Sequence, residues 1–171
     1  MTSLNYLYLI LLILIVDNNN LFRIAYQTPK GNLVIGTDRG TLRSEDEGNT
    51  WKNVDEGFAA WSFTKKDHIL YAGAYAKGVH ISKDDGVTWM EYNDGLREGD
   101  AYLTVPALLT THDNSILCGT LAEGMFKLAE NDSIWKPFKT GMTDNTHFGI
   151  IQDDDGTLYA GSDKGVFKRK N

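Results

Sequence analysis

The sequence is short of the residues on which several kinds of site depend. It has one cysteine, Cys118, in 171 residues, which excludes an internal disulfide framework and a cysteine-built zinc site. Lysine and arginine number 17 against 23 acidic residues, for a net charge of −6. No basic stripe exists, so the phosphate attraction on which nucleic-acid binding rests is excluded. The four histidines, His68, His80, His112 and His147, form no His-x-His or His-x₃-His pair, and neither a metal nor a cofactor is expected. Gly-x-Ser-x-Gly, P-loop and dinucleotide fingerprints are absent. After residue 20 no 3.6-residue apolar periodicity persists long enough for a helix. Proline occurs only three times, whereas glycine reaches 17, about 10% against a usual ~7%.

Charge is also missing from residues 1–16, and residues 4–16 are apolar apart from Asn5. As a helix this run would reach about 20 Å, short of the roughly 30 Å of a bilayer core but suited to the apolar part of an export signal. Neither lysine nor arginine precedes it, and no small-x-small cleavage site follows. Residues 1–20 are therefore read as a signal or uncleaved anchor, or as a strand that closes the fold. Contact with a membrane is expected only in the anchor case.

What the sequence has in abundance is repetition. Gly36-Thr-Asp-Arg-Gly40 recurs as Gly73-Ala-Tyr-Ala-Lys-Gly78, Gly119-Thr-Leu-Ala-Glu-Gly124 and Gly161-Ser-Asp-Lys-Gly165. An apolar strand precedes each copy and a second short strand follows it, the signature of a hairpin. Ser44-Glu-Asp46-Glu-Gly48-Asn-Thr50-Trp51 then matches Ser82-Lys-Asp84-Asp-Gly86-Val-Thr88-Trp89 at every defined position of Ser-x-Asp-x-Gly-x-Thr-Trp. A third copy ending at Trp135 keeps the spacing without the chemistry. The aspartate suits a turn in which it accepts bonds from backbone N–H groups and hydroxyls. The tryptophan suits burial as the next strand begins. Four strands in about 40 residues make a blade, so the chain is expected to be all-β, a β-propeller of about four four-stranded antiparallel blades. The repeats fall near 22–58, 59–96, 97–142 and 143–171. The fourth stops before its last strand, which leaves two readings open: a closed small ring, or part of a larger propeller.

The motif resembles the Asp-box, or BNR repeat, of sialidases, sortilin-type receptors and photosystem II assembly-factor-like proteins. That resemblance implies the propeller fold and leaves the function open. Phe22-Arg23-Ile24-Ala25 is similar to the sialidase Phe/Tyr-Arg-Ile-Pro motif, whose arginine helps bind a carboxylate, with Ala25 in place of proline. A sialidase-like hydrolase, active or degenerate, is therefore the alternative to a non-catalytic, exported interaction module with a protein or carbohydrate partner. Secretion, the periplasm or the cell surface would follow from export. Of the five arginines, Arg23, Arg39, Arg43, Arg97 and Arg169, Arg39 lies in a hairpin turn and Arg43 and Arg169 on the third strands of their repeats, positions that would not converge on one central site, which favours the non-catalytic reading. No catalytic residue is assigned.

Candidate binding residues follow from the architecture. The innermost strand of each blade lines the axis, and the loops leading into those strands form one rim, where function concentrates. Arg23, Trp61, Arg97, Tyr102, His147 and Phe148 occupy that rim in this reading. Alignment on the first turn glycine sets Ile24 beside Trp61, Ala107 and Gly149. Asp153-Asp154-Asp155 falls where the other copies have a turn and is read as a solvated turn. Cys118 falls in an apolar strand beside Ile35, Ala72 and Ala160, as a small buried residue.

Overall fold

The computed structural model describes residues 21–55, 57–96, 103–138 and 146–170. The expectations for residues 1–20 lie outside them. Among the described residues there is no helix able to cross a membrane. Fifteen strands follow one another: β1 (Phe22–Gln27), β2 (Leu33–Thr37), β3 (Gly40–Ser44), β4 (Lys52–Asp55), β5 (Ala60–Lys66), β6 (Ile69–Ala74), β7 (Gly78–Ser82), β8 (Met90–Glu91), β9 (Ala107–Thr110), β10 (Ile116–Gly119), β11 (Met125–Leu128), β12 (Lys136–Pro137), β13 (His147–Gln152), β14 (Leu158–Ser162) and β15 (Gly165–Arg169). They build three antiparallel four-stranded sheets, β1–β4, β5–β8 and β9–β12, and one three-stranded sheet, β13–β15, each in chain order.

The two complete Ser-x-Asp-x-Gly-x-Thr-Trp copies are the β3–β4 and β7–β8 turns, and they superimpose bond for bond. Asp46 accepts from the Ser44 hydroxyl at 2.8 Å, the Thr50 N–H at 2.8 Å and the Thr50 hydroxyl at 2.6 Å. Gly48 N–H donates to Ser44 Oγ at 2.8 Å, and Trp51 Nε1 donates to the Gly48 carbonyl at 3.0 Å. Asp84 repeats the first three bonds from Ser82 and Thr88, while Gly86 and Trp89 repeat the last two. Trp135, whose copy lacks these partners, instead reaches back to the second blade: its indole N–H donates to the Tyr92 carbonyl and its backbone N–H to the Asp94 carbonyl.

These bonds hold the Asp46 carboxyl at about 2, first through the Thr50 hydroxyl and N–H and then through Ser44. Asp155 is held at about 2 chiefly by Thr157. At Asp84, burial raises the pKa, but the bonds from Thr88 and Ser82 prevail and the net shift is downward. Carboxyls depressed in the folded state contribute stability above their unfolded value, near 3.8, and lose it as pH falls through the folded value. The urea midpoint is therefore expected to hold steady from neutral pH to about 5 and then drop between about 4 and 2. Thr50→Val should flatten that drop. A midpoint already falling between pH 7 and 5 would contradict the assignment.

The blades pack face to face in chain order, with the inner strands β1, β5, β9 and β13 each against the next. Val34 packs with Phe58, Ala60, Phe63 and Ala72 in the first junction. Tyr71, Val79, Leu103, Val105 and Trp135 share the second, and Leu117, Met125, Ile150 and Ala160 the third. One glycine per blade makes this approach possible. A Cβ on Gly36 would stand 1.9 Å from the Ala60 carbonyl oxygen, one on Gly73 2.4 Å from the Val105 carbonyl oxygen, and one on Gly119 2.9 Å from His147 Cβ. At the matching Gly161 a Cβ would meet nothing within 4 Å. Among the described residues, the outward face of the fourth blade is bare.

A polar clamp reinforces the first junction. Asp85, next in sequence to the turn aspartate, sits at φ +64° and reaches into the first blade. Its carboxylate accepts from the Thr28 hydroxyl at 2.8 Å, the Asn32 amide at 2.7 Å and the Lys30 N–H at 3.3 Å. Arg43 lies 3.4 Å from the same carboxylate and donates through Nε to the Asp85 carbonyl at 2.9 Å. Both side chains are buried, at 7% and 4% exposure.

Candidate functional site: an aromatic rim

At one end of the arc, the starts of the inner strands meet the glycine-flanked turns. The Leu21 carbonyl accepts from Asp38 N–H at 3.0 Å, and Ala59 from Tyr75 at 3.0 Å. Thr120 accepts from His147 N–H at 2.8 Å, and the Leu121 carbonyl from the Thr146 hydroxyl at 2.9 Å. Rim chemistry thus comes from two sources per blade.

Three of the four inner strands share a local irregularity. Pairing of β1 with β2 shifts between Phe22 and Ile24, that of β5 with β6 between Ala60 and Ser62, and that of β13 with β14 between His147 and Gly149. The residues skipped are Arg23, Trp61 and Phe148. A bulge leaves its extra residue out of the ladder and re-aims its side chain. Three of the six candidates therefore hold one structural position. The register also corrects the alignment: Ser62, not Trp61, pairs with the turn glycine Gly73, as Ile24 pairs with Gly36. The β5–β6 hairpin closes with two residues after Lys66, whereas β1–β2 needs five after Gln27, and the shorter loop displaces the count by one.

Arg23 and Trp61 come together. The Arg23 guanidinium carbon lies 5.0 Å from the Trp61 ring centroid, a cation–π contact. Trp61 also stacks on Tyr75, whose ring centroid is 5.3 Å away and inclined by 24°. Tyr75, in the β6–β7 turn, is 56% exposed, and Phe148 is 55% exposed. Tyr75 was not a candidate from sequence, although it is the one aromatic residue within the four glycine-flanked turns. His147 departs from the expectation of a rim residue. It is only 1% exposed and its Cβ faces Gly119, in the packing between the third and fourth blades. Arg97 and Tyr102 lie outside the described residues.

The remaining sequence features are structural. Among the Asp153–Asp155 carboxylates, Asp153 accepts from Thr157 N–H at 2.8 Å and from the Tyr159 hydroxyl at 3.1 Å, and Asp155 from Thr157 N–H at 2.9 Å. Burial is complete at Cys118 and pushes its thiol up, which keeps it protonated. Arg43 belongs to the Asp85 clamp, and the guanidinium of Arg169, on the fourth blade, lies 4.8 Å from the ring centroid of Phe138, on the third. Neither stands beside Arg23. The rim offers a half-buried indole, an exposed phenol ring and an exposed guanidinium. Together these make a flat π surface with a cationic edge.

No protein-family profile matches the sequence. Over 63 residues it is 36% identical to the vacuolar protein sorting/targeting protein 10 of Fusarium vanettenii, a match that covers 32% of this chain and 4% of that protein. Among solved structures, it is similar to the extracellular domain of BT4673 from B. thetaiotaomicron, with a TM-score of 0.71 and 13% identity over 89% of this chain and 22% of the other. YCF48 bound to D1 peptide is similar at a TM-score of 0.66 and 15% identity, over 87% of this chain and 50% of that one. The chain thus spans a small part of the first two proteins and half of the third. Architecture and likeness agree: the chain has the β-propeller fold, built in the described residues from four antiparallel blades.

Proposed function

We propose that this chain is an Asp-box propeller acting as an exported, non-catalytic interaction module, and that its aromatic rim holds a protein or carbohydrate partner. The observation that carries the reading is the Arg23–Trp61–Tyr75 stack, with the guanidinium and phenol exposed at one end of the blades. Such a stack is ordered before any partner arrives, so little side-chain entropy is lost on binding. A ring or apolar side chain would lie on the π surface, while the guanidinium edge would receive an acidic group. The peptide-bound state of YCF48 favours a peptide among possible partners. The extracellular origin of the BT4673 domain is in keeping with export. Against a sialidase-like site, Arg43 is held by Asp85 and Arg169 lies over Phe138, so those two cannot join Arg23 around a carboxylate.

The test is a displayed-peptide library and a glycan array probed with purified protein. A binder is expected, and Tyr75→Ala and Arg23→Ala should each weaken it by at least about tenfold, as for central interface residues. Both side chains are exposed, so the urea midpoint should barely move. Absence of any binder, or binding indifferent to both changes, would remove this reading. Turnover of a fluorogenic sialoside that Arg23→Ala abolishes would replace it with the hydrolase.

A further inference from the structure

The four glycine-flanked turns are built alike except in one respect. In three of them the residue after the first turn glycine carries a hydroxyl that closes the turn from within. Thr37 Oγ1 accepts from Arg39 N–H at 3.2 Å and donates to the Gly40 carbonyl at 3.0 Å. Thr120 Oγ1 accepts from Glu123 N–H at 2.9 Å and donates to the Gly124 carbonyl at 2.8 Å. Ser162 Oγ accepts from Lys164 N–H at 3.1 Å and donates to the Gly165 carbonyl at 3.3 Å. A hydroxyl in this place fixes a turn by local bonds alone. The β6–β7 turn, which carries Tyr75, has Ala74 there and lacks the hydroxyl.

The next blade supplies what is missing. Ala76 N–H donates at 3.0 Å to Thr104 Oγ1, in the segment entering β9. Thr104 is itself anchored, since its carbonyl accepts from Leu121 N–H at 3.1 Å. On either side of it, the Leu103 carbonyl accepts from Gly78 N–H at 2.8 Å and Val105 N–H donates to the Ala74 carbonyl at 3.0 Å. Those two bonds use backbone atoms only, and the Leu103 and Val105 side chains serve the core of the second junction. Thr104 alone of the three gives the turn a side-chain atom. The residue it holds, Ala76, stands at φ +57°, a left-handed conformation that alanine resists without support. Tyr75 precedes Ala76, so the direction of its ring, stacked on Trp61, depends on a bond that crosses from one blade to the next.

We infer that Thr104 is a positioning residue of the aromatic rim: its hydroxyl holds the β6–β7 turn so that Tyr75 lies on Trp61, and it acts on a partner only through Tyr75. The inference rests on the reading of the rim as the binding surface, and adds that the junction between the second and third blades sets the shape of that surface. Ala76 is half-buried, so water can take the place of the hydroxyl once it is removed. The loss then falls on the order of the turn rather than on the fold.

Thr104→Val removes the hydroxyl and keeps the branched shape. By NMR on the full chain, exchange of the Ala76 amide should rise at least about tenfold, as for a local opening, and the nuclear Overhauser contact between the Tyr75 and Trp61 rings should weaken. The urea midpoint should barely move. Affinity for the tightest binder from the peptide library or glycan array should fall at least about fivefold, yet fall no further in a Tyr75→Ala background, as for residues that act as a unit. Thr104→Ser should match wild type. Unchanged exchange and ring contact overturn the inference. So does a loss of affinity that persists undiminished in the Tyr75→Ala background, or an equal loss in Thr104→Ser, which would assign the effect to the methyl group. Absence of any binder removes the reading of the rim itself, whereas a binder that needs Tyr75 but ignores Thr104→Val overturns this inference alone.

Discussion

Asp85→Ala is expected to cost about 3–5 kcal/mol, the usual consequence of removing one partner from a buried ion pair. The carboxylate accepts from Thr28, Lys30 and Asn32 and neutralises Arg43. Thr28, Lys30 and Asn32 would lose that acceptor together, and Arg43, at 7% exposure, would keep its charge in a buried site with only the carbonyl of residue 85 and Glu45 beside it. Alanine would also occupy a left-handed conformation, which non-glycine residues resist. Asp85→Gly separates the two effects, because glycine adopts φ near +64° freely, and should retain most of the loss. Asp85→Asn preserves one acceptor oxygen and should lose less. Urea titration measures the energies. Hydrogen exchange at Val34 and Ala60 should show the first junction opening before the others. A loss below about 1 kcal/mol, the upper end for exposed pairs, would mean that the clamp contributes no more than a surface salt bridge. Burial raises the Asp85 pKa, but its bonds from Asn32, Thr28, Lys30 and Arg43 prevail and depress it, so the clamp should survive mild acid.

Gly36→Ala should be comparably severe through geometry alone. The new Cβ would stand 1.9 Å from a backbone oxygen, that of Ala60, and no rotamer change relieves a backbone clash. The two blades must separate, at a cost expected to be about 3 kcal/mol or more, the upper range for overpacking. The molecule supplies its own control at Gly161, where the same substitution meets open space. Gly161→Ala should stay within about 0.5 kcal/mol of wild type. Equal losses at the two glycines would show that strand propensity, and not the approach of the next blade, sets the cost.

The contrast between these sites shows what was legible in advance. The β3–β4 and β7–β8 turns could be read residue by residue because their bonds span two to four positions. The blade count followed from the repeating glycines for the same reason. Asp85 escaped notice because it fills an undefined position in the motif, and its partners lie 42 to 57 residues away. Tyr75 stood out in composition, but only the fold brings it onto Trp61. His147 lies in the segment entering β13, which the sequence assigns to the rim, but its side chain is buried against the third blade, a contact between blades that the sequence does not display. Local chemistry could be read from the chain, whereas contacts between blades depend on a register that loop lengths reset.

The bulges at Arg23, Trp61 and Phe148 have a consequence for how such a molecule can change. Each frees one side chain from the hydrogen-bonded ladder, while its neighbours Ile24, Ser62 and Gly149 keep the pairing with the turn glycines. The rim then works like a row of sockets on a fixed frame, in which a cation, an indole and a benzyl group already occupy equivalent places. Mutation can exchange those side chains one blade at a time and leave the pairing of the scaffold in place.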